Sequence, residues 1–283
     1  MNHSTKSVGI TYATARQLPE QRHDDVATEE PMEVRLRHQV DGKWSERSIS
    51  ITMRTPGNDA ELAVGFLFTE GIIREAAQVD HVEHCGPANA EGLRNVVKVT
   101  LSEGVDVDVG KLMRNFYTTS SCGVCGKTSL EALNIESRFD IADTGPLLAA
   151  SALSAAPDKL RELQQLFDAT GGIHASGLLE SDGELVAVRE DVGRHNALDK
   201  LIGQALQKGH LPLTKSAVIL SGRASFELLQ KSLMAGVPIV AAVGAPSSLA
   251  IECAEANNMT LVGFLRGQGF NIYSHPERIS MDL

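Results

Sequence analysis

The feature that most constrains this chain is an alternation in its second half. Short, continuous apolar runs at Ala217–Leu220, Ile239–Val243 and Leu261–Leu265 are separated by stretches with helical periodicity at Phe226–Met234 and Ser248–Ala256. A strand that is apolar on both faces must be covered on both, so these runs predict a largely parallel, buried sheet between layers of helices. Two more strands, Ile173–Leu179 and Leu185–Val188, flank the Asp182-Gly183 turn ahead of them. Next comes a helix whose apolar face is Ala197, Leu198, Leu201, Ile202, Ala205 and Leu206. The order ββαβαβαβ predicts a three-layer α/β domain.

The first half reads differently. Residues 1–30 lack periodicity and are expected to be a mobile tail. Met32, Val34 and Leu36 then alternate with Glu33, Arg35 and Arg37, which predicts a half-buried strand. Asp41-Gly42 is a turn signal, and Ile49, Ile51 and Met53 predict the answering strand. After Thr55-Pro56-Gly57, Glu61–Phe68 reads as a helix ending near Gly71, and short strands follow at Val96–Leu101 and Val105–Val109. We therefore expect a small α+β domain over 31–143 and the α/β domain over 144–283. The small residues of Thr144–Ala156 mark the hinge, and Pro157 is expected to open a helix through Phe167.

Charge and cysteine usage narrow the function classes. The formal net charge of −10 argues against unspecific binding to nucleic acid, which needs a basic surface. No apolar run reaches the length of a membrane span, and the first thirty residues carry no apolar signal region. Four cysteines in 283 residues, with no export signal, predict a reducing cytoplasm, where C-x-x-C more often means catalysis or metal than a structural disulfide.

Two of those four cysteines lie together in Thr118-Thr119-Ser120-Ser121-Cys122-Gly123-Val124-Cys125-Gly126-Lys127. A thiol reacts as its thiolate, and uncovered backbone N–H groups, Lys127 and the N-terminus of a short helix predicted at Thr128–Ile135 would favour that charge. Three chemistries compete. Zinc would need a second pair of donors, for which His81, His84 and Cys85 are nearest in kind, although His81 and His84 point to opposite faces of a strand. Thioredoxin-like exchange would want the pair at a strand-to-helix junction near the start of a domain, and it fits poorly. Sulfur relay needs only an accessible, acidified thiol that accepts a terminal sulfur and passes it on. Cys253, beside Ile251 and Ala254, reads as a small core residue.

A ligand site is predicted at the carboxyl ends of the parallel strands, where helix N-termini begin. Three loops there expose backbone: Ser221-Gly222-Arg223-Ala224-Ser225, Gly244-Ala245-Pro246-Ser247-Ser248 and Arg266-Gly267-Gln268-Gly269. Glycine admits a phosphate to the backbone, helix ends favour negative charge, and Arg223 and Arg266 add donors. Any one of these could be a mere tight turn; three on one edge favour a phosphate-bearing ligand. None matches a dinucleotide fingerprint or a P-loop. His174 begins a strand. His195 begins a helix in a turn crowded by Arg189, Glu190, Asp191 and Arg194, equally readable as a solvated charged turn or a ligand contact.

Cys-Gly-Val-Cys-Gly at 122–126, Arg-Glu-Asp-Val-Gly-Arg-His-Asn-Ala-Leu-Asp-Lys at 189–200 and Ser-Gly-Arg-Ala-Ser at 221–225 together resemble the formate dehydrogenase accessory sulfurtransferase family, FdhD. The resemblance extends through Thr55-Pro56-Gly57-Asn58-Asp59 and Thr69-Glu70-Gly71-Ile72-Ile73 and spans the chain from about Met53 to the C-terminus. It implies a cytidine-deaminase-like second domain. Zinc deaminases carry H-x-E and P-C-x-x-C at successive helix starts, whereas here the turns read His195-Asn196-Ala197 and Gly222-Arg223-Ala224-Ser225, so deamination is unsupported and no zinc is expected.

The resemblance further implies a sulfurtransferase that takes sulfur from a cysteine desulfurase and delivers it to the molybdenum bis(molybdopterin guanine dinucleotide) cofactor destined for formate dehydrogenase. Cys122 would hold the persulfide with Cys125 assisting, Phe264, Leu265, Arg266, Gly267, Gln268 and Gly269 would bind the cofactor, and a cytoplasmic homodimer is expected. The alternative is a non-catalytic cofactor-binding chaperone with a structural zinc at the two cysteines.

Overall fold

The computed structural model describes residues 3–107, 139–142, 148–267 and 269–281. Cys122, Cys125, the helix predicted at Thr128–Ile135 and Gln268 lie outside the described residues, as does the end of Val105–Val109; Val105 to Val107 are not a strand.

Where the sequence reading expects a mobile tail, Thr5–Thr14 (β1) and Gln17–Ala27 (β2) pair as an antiparallel hairpin. Its side chains are almost all exposed, so there is no buried face to write an alternation into the sequence. Thr28 N donates to Ser4 O at 2.9 Å and Ser4 Oγ to Pro56 O at 2.7 Å, tying the hairpin to the rest of the chain.

Glu30–Val40 (β3) and Lys43–Arg54 (β4) form the expected pair around Asp41-Gly42, both at positive φ. Asp59–Thr69 (α1) follows, then Val79–Ala88 (β5) and Arg94–Leu101 (β6), in a sheet of order β4-β3-β6-β5. Met32, Val34 and Leu36 are buried on the inner face with Val97 and Val99.

Leu148–Ala149 (β7) leads into Ala150–Leu163 (α2) and Gln165–Thr170 (α3). Pro157 therefore lies inside α2 instead of opening it, and part of the expected hinge is helical. The buried stripe Leu153, Ala156 and Leu160 has helical spacing and sets the helix from Ala150. The proline removes one backbone donor without overriding that burial.

The remaining elements come in the predicted order: His174–Glu180 (β8), Leu185–Asp191 (β9), Arg194–Gln207 (α4), Ser216–Leu220 (β10), Phe226–Met234 (α5), Ile239–Ala242 (β11), Ser248–Ala256 (α6) and Thr260–Arg266 (β12), then Gly269–Ser274 (β13) and Ile279–Ser280 (β14). The sheet order is β13-β12-β11-β10-β8-β9. Strands β10, β11 and β12 are parallel, while β8 and β13 run against their neighbours. Helix α2 covers one face through Leu153 and Leu160 against Ile219 and Val262. Leu198, Leu201, Leu228 and Leu229 of α4 and α5 cover the other face, so the three layers are present.

The two halves share one core, in which Val34, Leu62 and Leu67 join Leu201, Val218 and Leu228. Helices α1 and α4 cross so closely that a Cβ on Gly65 would lie 1.9 Å from Asp199 O, and one on Gly203 1.9 Å from Glu61 O. Only glycine fits either position. Polar side chains complete the joint. Lys231 Nζ donates to Thr69 Oγ1 at 2.9 Å and to both oxygens of Asp199 at 3.0 and 2.9 Å. Although burial opposes its charge, Asp199 and Glu70 hold Lys231 above the usual lysine value.

Candidate functional site: a strand-end rim

Strands β9 to β12 end at one edge of the large sheet, and the loops beyond them are laced together in a row. Ala175 N donates to Ser221 Oγ at 2.8 Å, Gly244 N to Gly222 O at 2.9 Å, Ser247 N to Ala224 O at 3.0 Å and Phe264 N to Gly244 O at 3.0 Å. Glycine permits this approach: a Cβ on Gly244 would lie 3.0 Å from both Arg223 Cγ and Gly222 O. The first two loops named from the sequence are thus laced to each other and to Phe264, two residues before the third.

The segment matched to cofactor binding is unevenly disposed. Phe264 is 37% exposed and held at φ +52, a left-handed conformation rare for an aromatic residue in a strand. The Arg266 guanidinium lies 5.6 Å from its ring centroid, so an aromatic face and a cation project together. Gly267 and Gly269 have open space where a Cβ would be. Leu265 differs: its side chain is fully buried in the α2-side core, so only its backbone faces the rim.

At the other end of the rim, His195 Nε2 lies 2.9 Å from Glu227 Oε2 and 3.4 Å from Ser225 Oγ. Ser225 is the N-cap residue of α5 yet makes no side-chain cap bond, in contrast to Ser247, whose Oγ accepts from Ala250 N at 3.2 Å. His174 stands opposite, its Nδ1 3.3 Å from the point a Gly222 Cβ would occupy. Burial first, then the charges of Arg194 and His195, hold the His174 imidazole below the usual histidine value.

The charged turn at 189–200 divides between two tasks. Arg189 is bidentate to Glu61 at 2.5 and 2.7 Å, and Glu190 caps α3 by accepting from Leu166 N and Phe167 N at 2.9 and 3.0 Å. Asp191 pairs with Lys200 at 2.7 Å and accepts from Thr55 N at 3.1 Å. Arg189 through Glu61 and Asp191 through Thr55 join the halves of the molecule, and Arg189, Glu190 and Lys200 line a cleft of about 280 Å³ with Pro56, Gly57 and Asn58. Arg194 and His195 of the turn reach the rim cluster, and Asp191 stands opposite His174 across β8 and β9.

The histidines considered as zinc donors are otherwise engaged: His84 Nε2 lies 3.0 Å from Asp59 Oδ2 and His81 Nδ1 2.7 Å from Asp80 Oδ2. Among the described residues no group of three His, Cys, Asp or Glu side chains could hold a metal. Cys253 sits on α6, where burial raises its thiol above the usual cysteine value. The sequence reading missed Glu227 as the partner of His195, the Lys231–Asp199 pair and the Gly65–Gly203 crossing; an acid in the first turn of α5 was the only hint of the first.

The profile of the FdhD/NarQ family matches residues 27–280, and this chain belongs to that family. It is 51% identical to the "Sulfur carrier protein FdhD" of Streptomyces coelicolor, over 92% of this chain and 90% of that protein. It is 47% identical to the protein of the same name from Mycobacterium tuberculosis, over 99% of this chain and 100% of the relative. A crystal structure from Desulfotalea psychrophila, described as a formate dehydrogenase accessory protein, superposes with a TM-score of 0.75 at 26% identity and covers 98% of this chain and 100% of that one.

Proposed function

We propose that this protein is a sulfur carrier for formate dehydrogenase that hands sulfur to a nucleotide-bearing molybdenum cofactor. Cys122 accepts the terminal sulfur of a cysteine desulfurase persulfide: its thiolate attacks that sulfur and the desulfurase thiolate leaves. Cys125 assists. The acceptor, molybdenum bis(molybdopterin guanine dinucleotide), is the substrate, and its guanine nucleotide arms dock on Phe264, Arg266, Gly267, Gln268 and Gly269 and the backbone of Leu265. The observation that carries this reading is the rim itself, in which two laced strand-end loops adjoin an exposed aromatic ring, an arginine and the open glycines Gly267 and Gly269. Such a surface suits a base and its phosphates. The turns His195-Asn196-Ala197 and Gly222-Arg223-Ala224-Ser225 lack the general-base carboxylate and the thiolate ligands of a zinc deaminase, which disfavours metal-dependent deamination.

The reading further takes the protein to be a cytoplasmic homodimer, which cell fractionation and sedimentation check. Intact-mass measurement after incubation with a desulfurase and cysteine tests the carrier role. The expected result is one added sulfur on the wild type and none on a Cys122→Ala, Cys125→Ala double variant. An unmodified wild type, or equal loading of the variant, refutes it. Stoichiometric zinc lost with Cys122→Ala would instead favour the cofactor-binding chaperone.

A further inference from the structure

We propose that His174, Arg194 and His195 form a separate phosphate-binding subsite around the side-chain-free face of Gly222. It deepens the reading of the rim given above and rests on it: the subsite takes the diphosphate of the nucleotide arm, leaving the base to the Phe264–Arg266 end.

Four observations support it. Side chains from different elements meet at the 221–225 loop: His174, from the start of β8, lies against Gly222, His195, from the first turn of α4, reaches Ser225, and the charges of Arg194 and His195 act on His174. Gly222 leaves a gap open there, since any side chain would fill the space 3.3 Å from His174 Nδ1. Arg194 Nε is buried and has no hydrogen-bond partner among the described residues. A buried donor of this kind costs stability unless something supplies an acceptor. Last, three groups able to carry positive charge face one another. Asp191, opposite His174 on β9, pairs with Lys200 and partly offsets these charges at His174, and Glu227 on α5 pairs with His195. Arg223, next in the rim, adds a further positive charge. A phosphate in the gap would accept from Arg194 Nε and offset the charges of Arg194 and His195, which after burial lower the His174 value. Anion binding here should accordingly bring proton uptake by His174, and affinity should rise as pH falls from about 8 to about 6.

Titration of the full-length protein with inorganic pyrophosphate, GDP and guanosine, by calorimetry at both pH values, tests this. Pyrophosphate and GDP are expected to bind more tightly at the lower pH, and Arg194→Ala to weaken both by about tenfold, the loss of one charge-assisted contact. His174→Gln should remove most of the pH dependence, and the His174 ring resonances should titrate at a higher pH with pyrophosphate present. Matching unfolding midpoints in wild type and variants confirm that folding is retained. If GDP binds and Arg266→Ala weakens it while Arg194→Ala and His174→Gln do not, the subsite is wrong and the rim reading survives. If pyrophosphate binding depends on Arg194 but GDP binds no more tightly than ADP, the subsite stands and the guanine reading falls. Absence of binding by all three probes overturns both.

Discussion

The joint between the two halves and the rim of the large sheet are built from similar residue types put to opposite uses. At the joint every charge described has a partner: Arg189 with Glu61, Lys200 with Asp191 and Lys231 with Asp199. At the rim, Arg266 projects beside an exposed ring, and Arg194 keeps a buried nitrogen without a partner among the described residues. Satisfied charges in a protein interior fix geometry, whereas unsatisfied ones at a strand end await a ligand. One twelve-residue stretch, Arg189–Lys200, supplies both kinds.

The largest expected effect strikes the joint. Gly203→Ala would drive a methyl group into the Glu61 backbone, where no rotamer change relieves it. A loss of about 3 kcal/mol or more is expected in urea unfolding, at the upper end for overpacking; unchanged stability would show that α1 and α4 are not in backbone contact. Next in size, Lys231→Met leaves Asp199 buried without its ammonium and should cost about 3–5 kcal/mol. Adding Asp199→Leu should restore much of that loss, and failure to do so would mean the pair is not the source of the cost.

How far the sequence revealed these regions follows from how each is encoded. The apolar strands at 217–220, 239–242 and 261–265 write their burial directly into composition, and the rim follows from where those strands end. The joint does not. Gly65 and Gly203 each interrupt an ordinary amphipathic helix, and nothing local distinguishes a crossing glycine from a tolerated one. Arg189, Glu190 and Asp191 look like a solvated turn because their partners, Glu61, the α3 backbone and Thr55, are distant in sequence or carry no charge pattern. The β1–β2 hairpin was hidden for the opposite reason, having no buried face at all. Leu265 was assigned to the ligand as one of a run, although strand alternation turns its side chain into the core.

A smaller effect, within the first half, depends on pH. Burial opposes the charge of Asp59, but Arg54 and then His84 hold its carboxyl below the usual aspartate value. A depressed folded-state value means that this stabilisation is complete above the unfolded value, near pH ~4, and is lost as pH falls through the depressed one. Asp59→Asn should flatten that acid limb of the stability profile; an unchanged limb would assign it to other carboxylates. The smallest expected stability change is at the rim, where Arg266→Ala should alter unfolding by less than about 0.5 kcal/mol.

The division of labour is tested most directly by measuring GDP affinity and unfolding free energy side by side for Arg266→Ala and Arg189→Ala. GDP binding should fall about tenfold with stability intact in Arg266→Ala, and stability should fall with GDP binding intact in Arg189→Ala. Wild-type affinity in Arg266→Ala, or a folded Arg189→Ala that no longer binds GDP, would contradict the account.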